Sequence, residues 1–164
     1  MGRLMGPAPF DLPAASHSYL ERAASSLREA TTTSDVPLRY ACAHVAALRA
    51  TAALLAARAT PAAGPRRGRQ KNAWVLLAEV APELSEWAAF FSAGAAKRAA
   101  AESGSRRAVT EREADDLVRD ADRFLGLVEE SLGMTRHVPF QEHFPSTRVE
   151  RASGTVGKQR HHVA

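Results

Sequence analysis

Apolar residues recur every three or four positions along most of the chain, which is the spacing of a helix with one buried face. Four segments carry this pattern, at about residues 15–30, 36–59, 72–104 and 110–132. The stripe of the second segment comprises Ala41, Val45, Leu48, Ala52 and Leu55, and that of the fourth comprises Leu117, Ala121, Phe124, Val128 and Leu132. The pattern predicts four amphipathic helices whose stripes form the core.

Turn-forming and capping residues separate the predicted helices. The polar run 31–35 and the Pro/Gly-containing run 61–65 both compete with helix propagation. Thr110 and Glu113 have the spacing of a capping box at the start of the fourth helix. Within the third segment, Pro82 lacks a backbone donor and is predicted to kink or restart the helix. Trp87 and Phe91 follow it at helical spacing and are predicted core residues.

The composition narrows the fold class. Alanine contributes 34 of the 164 residues, whereas aromatic residues make up only 6%. Alanine is a strong helix former and a weak strand former, so a β-sandwich or barrel is nearly excluded. The single Cys42 excludes an intrachain disulfide framework. Because the predicted connections are short, we expect an all-α protein with an antiparallel four-helix bundle.

The two ends of the chain differ from its middle. We predict a flexible N-terminal arm at 1–14, a helical domain at 15–132 and a basic, mostly disordered tail at 133–164, within which Val138, Phe140 and Phe144 could dock back on the bundle. The longest uncharged stretch, 87–96, has ten residues, about half of a membrane span. The sequence therefore predicts a cytoplasmic protein without membrane contact.

Positive charge is concentrated outside the predicted helices. The net charge is +4, and the seven residues 65–71 alone carry four basic side chains, those of Arg66, Arg67, Arg69 and Lys71. The tail carries five basic and two acidic residues. Such segments are able to contact phosphates, although the same charges also simply keep an alanine-rich body solvated.

Motifs for cofactor and metal chemistry are absent from the sequence. Neither the P-loop nor the dinucleotide-binding glycine pattern occurs, and no histidine pair has metal-ligand spacing. The acidic residues of 111–122 alternate with arginines, as on a solvated helix face with local ion pairs. We therefore expect no cofactor and no metal site.

Arg39 and His44 are the candidate catalytic pair. A guanidinium forms bidentate hydrogen bonds to a phosphate, and an imidazole acts as a general acid or base. The two side chains therefore suit RNA cleavage. Five residues turn a helix by about 140°, so they do not share one face, although a long arginine side chain or a second copy of the chain could complete a site. The simpler alternative is a surface arginine and a histidine beside the core.

Four stretches of the sequence together resemble a known family. These are residues 38–50, 72–77, 80–91 and 112–117, of which the pattern Pro82-Glu83-Leu84 followed by Trp87-Ala88-Ala89-Phe90-Phe91 is the most specific. They resemble a branch of the HEPN superfamily (higher eukaryotes and prokaryotes nucleotide-binding) that occurs in small proteins of high-GC actinobacteria. The resemblance covers about residues 15–132.

The resemblance implies a small antiparallel four-helix bundle that is frequently a homodimer. Many members of the superfamily are RNases or toxin components with an Arg-x(4–6)-His motif, and others have lost the motif and act as binding or regulatory partners. Arg39 and His44 match that spacing. In catalytic members, however, the motif lies late in the bundle and its second residue is commonly polar. Here it lies early, and the second residue is Tyr40.

These observations favour a binding or regulatory module that interacts with RNA, with a nucleotide or with a partner protein encoded nearby. The alternative function is that of a toxin in a toxin–antitoxin pair, a metal-independent endoribonuclease that uses Arg39 and His44. A second alternative is a purely structural interaction protein. The direction in which Arg39 and His44 point separates these functions, since a shared polar cleft would favour the RNase.

Overall fold

The computed structural model describes residues 11–58 and 72–140. Six α-helices are present in this part of the chain: α1 (Ala14–Thr32), α2 (Val36–Arg58), α3 (Ala73–Val80), α4 (Ser85–Ala93), α5 (Ala95–Glu102) and α6 (Glu111–Ser131), with a short 3₁₀ helix (Pro82–Leu84) between α3 and α4. The described residues contain no strand. The predicted all-α class is therefore confirmed.

Helices α1 and α2 form an antiparallel pair with a closely packed interface. The Ser16 hydroxyl near the start of α1 donates to the Ala53 carbonyl near the end of α2, at 2.9 Å. Alanines on both helices are almost fully buried: Ala23, Ala30, Ala43, Ala46, Ala47, Ala50 and Ala53. Small side chains let the two backbones approach closely, which explains the high alanine content of these segments.

Helix α2 is the central helix. It has the length and apolar composition of a membrane span, but 56% of that window is buried inside the protein, as in the core helix of a globular fold. The Arg39 guanidinium near its start binds the Asp115 carboxylate near the start of α6, at 2.6 Å. The Arg58 guanidinium at its end binds the Ser131 carbonyl at the end of α6, at 3.2 Å. Helices α2 and α6 therefore run parallel.

The third predicted helix is not one continuous element. The rings of Trp74 and Phe91 stack with their centroids 5.3 Å apart, although 17 residues of straight helix would separate them by about 25 Å. Helix α3 therefore folds back against α4, and the reversal occurs at Ala81, whose φ of −133° and ψ of 74° lie outside the helical region. Pro82 restarts the chain in the 3₁₀ helix, so the sequence located the break but not the change of direction.

Side-chain caps fix the start of α6, as the sequence predicted, and the start of α3. The Thr110 hydroxyl accepts from the Glu113 amide, and the Glu113 carboxylate accepts from the Thr110 amide, which completes the predicted capping box of α6. The Asn72 side chain accepts from the Val75 amide at 3.0 Å and caps α3.

An aromatic cluster forms the centre of the core. Phe91 and Phe124 are fully buried, and their ring centroids lie 5.1 Å apart. Trp87 lies 5.6 Å from Phe124 but is only partly buried, so the prediction that it is a core residue holds in part. Phe91 therefore anchors the cluster, and Trp87 covers it.

Residues 133–140 turn back along α6. Gly133 adopts a φ of 75°, a conformation that favours glycine, and it reverses the chain. Arg136 then crosses Gly126, where a Cβ atom would lie 3.2 Å from the arginine Nε, and Phe140 packs partly buried against the core. These residues belong to the tail that the sequence predicted as mostly disordered, with Val138, Phe140 and Phe144 able to dock back on the bundle. Phe140 does so, whereas Val138 is 59% exposed. The rest of that tail, most of the predicted N-terminal arm and the basic run 66–71 lie outside the described residues.

Candidate functional site

Arg39, the first candidate catalytic residue, lies in the first turn of α2. Its Nη1 donates to the Asp115 carboxylate at 2.6 Å, and its Nη2 donates to the Thr33 carbonyl at 3.2 Å. The side chain is only 17% exposed. The guanidinium therefore connects the end of α1, the start of α2 and the start of α6, which is a structural role.

His44, the second candidate, is buried in the core, with 1% of its surface exposed. Its Nε2 lies 2.8 Å from the Phe91 carbonyl, and its ring meets those of Trp74 and Phe91 edge to face. A carbonyl oxygen only accepts, so Nε2 carries the proton. Burial lowers the pKa of His44, so the imidazole is neutral at pH 7 and its Nδ1 is an acceptor. No described residue hydrogen-bonds to that Nδ1.

The structure does not bring Arg39 and His44 together on a common partner. Arg39 binds α6, whereas His44 binds the backbone of α4. The charged residues that influence His44 are instead on α5. The positive charge of Arg98 lowers the pKa of His44, and the negative charge of Glu102 raises it. Sequence analysis missed these two residues, because an Arg and a Glu four positions apart on α5 look like an ordinary surface pair.

A cavity of about 250 Å³ opens beside His44. Helices α2, α4, α5 and α6 all contribute to its wall, which includes Tyr40, His44, Phe90, Phe91, Lys97 and Leu117. Gly94 keeps part of this space open, because a Cβ atom there would lie 3.0 Å from the Tyr40 hydroxyl and 3.5 Å from His44 Cδ2. The sequence marked Tyr40 only as an atypical residue of the Arg-x(4–6)-His motif, and no sequence pattern indicated Lys97.

Charged and polar side chains mark the rim of the cavity. Lys97 Nζ binds the Glu113 carboxylate at 2.5 Å. The hydrogen bonds from Lys97 and from the Thr110 amide and hydroxyl lower the pKa of Glu113 to about 2, so this ion pair is fully charged at neutral pH. Burial raises the pKa of Tyr40, which keeps its phenol protonated.

Two other candidate groups carry no site in the part of the chain that the structure describes. Burial and the neighbouring Glu29 carboxylate raise the pKa of Cys42 to about 11, so its thiol stays protonated and is a poor nucleophile. Within residues 11–58 and 72–140, no group of three His, Cys, Asp or Glu side chains is arranged to hold a metal ion. The proposed phosphate-binding residues Arg66, Arg67, Arg69 and Lys71 lie outside these ranges, in the connection from α2 to α3.

Comparison with known families gives a match over most of the helical region. A family model described as HEPN_SAV_6107, a SAV_6107-like HEPN, matches residues 30–129, from the end of α1 to the end of α6. The comparisons with curated proteins and with solved structures gave no match. The matched region contains Arg39, His44 and the whole wall of the cavity.

Proposed function

Because the chain belongs to the SAV_6107-like HEPN family, we propose that it is a non-catalytic HEPN module that binds single-stranded RNA in the cytoplasm through the basic residues Arg66, Arg67, Arg69 and Lys71. Membership of the family suggests a role related to nucleotides or RNA, or one like that of a toxin. The proposal includes the antiparallel four-helix arrangement, with α3, α4 and α5 together in the place of the third helix.

The separation of Arg39 from His44 supports a role without catalysis. A general acid or base must be able to take up or give away a proton near the reacting phosphate. The imidazole of His44 is buried, neutral and hydrogen-bonded to the Phe91 carbonyl, and the guanidinium of Arg39 is held by Asp115. Neither group is free to meet a phosphate without a rearrangement of the core.

The distribution of charge supports RNA as the ligand. The four basic residues of the run 65–71 lie close together in the sequence, within the single connection 59–72 between α2 and α3. A local excess of positive charge attracts the phosphate backbone without regard to sequence. Binding of this kind weakens at higher salt, because the bound protein displaces condensed counterions from the RNA and their release is less favourable in concentrated salt.

Binding of a single-stranded RNA by the full chain is expected to fall steeply with salt. With up to four phosphate contacts, the slope of log affinity against log salt is at most about −3. The variant R66S/R67S/R69S/K71S should flatten that slope, measured by filter binding at several salt concentrations. The matched control R28S/R112S/R119S/R123S removes the same charge from exposed helix positions and should keep the slope. Binding that is independent of salt, or equal slopes for both variants, would contradict the proposal.

The same RNA should remain intact during the titration. A gel of the wild-type reaction after prolonged incubation checks this expectation directly. If the wild type cleaves the RNA and both Arg39→Ala and His44→Gln abolish the cleavage, the protein is a metal-independent endoribonuclease and not a binding module. Cleavage that persists in both variants would instead point to a contaminating nuclease, and the preparation would then be purified and tested again for intact RNA.

A further inference from the structure

Beyond RNA binding, we propose that the cavity between α2, α4, α5 and α6 is a binding site for a small, single-ring aromatic carboxylate that carries a ring hydroxyl. The observations that point to this ligand are the size of the cavity, the aromatic residues in its wall and two polar groups of different character in that wall, the Lys97 ammonium and the Tyr40 hydroxyl.

The size of the cavity selects the size of the ligand. A volume of about 250 Å³ lies just below the usual range of small-molecule sites and equals roughly eight water volumes. A single-ring acid of about ten non-hydrogen atoms fits such a space, because organic groups pack more densely than water. A whole nucleotide is too large for it.

The apolar part of the wall suits a flat ring. Phe90 and Phe91 meet edge to face, with their centroids 5.1 Å apart, and both line the cavity together with Leu117. Phe91 is fully buried, whereas Phe90 is 48% exposed, which is unusual for so large an apolar side chain beside an open space. A bound aromatic ring would cover the exposed part of Phe90 and gain offset or edge-to-face contacts.

The polar groups in the wall match the carboxylate and the hydroxyl of the proposed ligand. The Lys97 ammonium has three donors, of which Glu113 uses one, so two remain for a carboxylate. The Tyr40 hydroxyl lies in the wall and forms no hydrogen bond to any described residue. A ring hydroxyl of the ligand is able to donate to this phenol oxygen or to accept from the phenol hydroxyl.

The probe for the test is 4-hydroxybenzoate, titrated into the full chain by isothermal calorimetry and by amide NMR. We expect saturable binding with a dissociation constant below about 1 mM, and shifts concentrated at Gly94, Lys97 and Leu117. Absence of saturation at about 10 mM, with a folded protein, would overturn the site. This result is independent of RNA binding, which depends on residues 66–71.

Two pairs of variants locate the site. Lys97→Met should weaken binding of 4-hydroxybenzoate at least tenfold, whereas Arg112→Met removes a 92% exposed cation and should leave it unchanged. Ala93→Leu, at the exposed rim of the cavity, should block binding by filling the space, whereas Ala96→Leu lies at an exposed position outside the wall and should not. Equal affinities within either pair would overturn the assignment to this cavity, and the NMR spectra of the variants show that each remains folded.

Discussion

Replacing Phe91 by alanine is expected to lower the free energy of unfolding by about 3–5 kcal/mol. Phe91 is fully buried, and its ring lies against those of Trp74, Trp87 and Phe124 with centroid separations of 5.1–5.9 Å. A domain of this size has only about 5–15 kcal/mol of stability in total. The Tm measured by circular dichroism should therefore fall by about 10 °C or more.

Phe90→Ala is the matched control for this experiment. The two phenylalanines are adjacent in the sequence, but Phe90 is 48% exposed and loses much less buried area on truncation than the fully buried Phe91. The Tm of the Phe90→Ala variant should change by no more than a few degrees, since substitutions at exposed positions change the free energy of unfolding by about 1 kcal/mol or less. If the two variants lost the same stability, the orientation of α4 described above would be wrong.

The contrast between these two residues shows where sequence analysis reaches its limit. Helical spacing placed Trp87 and Phe91 on one stripe and correctly predicted that Phe91 is buried. It did not predict that Trp87 would remain partly exposed, nor that α3 would fold back and stack Trp74 on Phe91. A proline marks the point at which a helix ends, but the direction of the next helix depends on tertiary packing.

The candidate site depends even more strongly on tertiary packing. The spacing of Arg39 and His44 was visible in the sequence, but their partners, Asp115 and the Phe91 carbonyl, come from elements far away along the chain. The cavity brings Tyr40 of α2 together with Lys97 of α5, although no short motif relates them. Capping residues such as Thr110 could be predicted because their partners lie within one turn.

The position of residues 133–140 could not be predicted from the apolar pattern either, because ion pairs hold this segment. The segment lacks a periodic apolar face, so the sequence predicted it as part of a mostly disordered tail, with only Val138, Phe140 and Phe144 able to dock. In the structure His137 lies between two carboxylates of α6: its Nε2 binds Asp122 at 2.6 Å and its Nδ1 binds Glu129. Asp122 and Glu129 are 8% and 9% exposed. The contact is held by charge, which hydrophobic periodicity cannot detect.

This arrangement makes the stability of the protein depend on the charge of one histidine. Hydrogen bonds to Asp122, then to Glu129, raise the pKa of His137 to about 9, against 6.5 for the unfolded chain. A folded-state pKa above the unfolded value means that protonation favours folding. The contribution is therefore complete below about pH 6.5 and is lost as the pH rises through about 9. The shift corresponds to about 3 kcal/mol.

Urea unfolding of the wild type and of His137→Gln between about pH 6 and pH 10 tests this dependence, because the difference between the two isolates His137 from other titrating groups. Glutamine keeps neutral hydrogen-bond donors but cannot carry the charge. At pH 6 the variant should be less stable by about 3 kcal/mol, since it leaves two buried carboxylates without a cation. The gap should close towards pH 10, where the wild-type imidazole is neutral as well. A gap that stays constant with pH would mean that His137 contributes through packing alone.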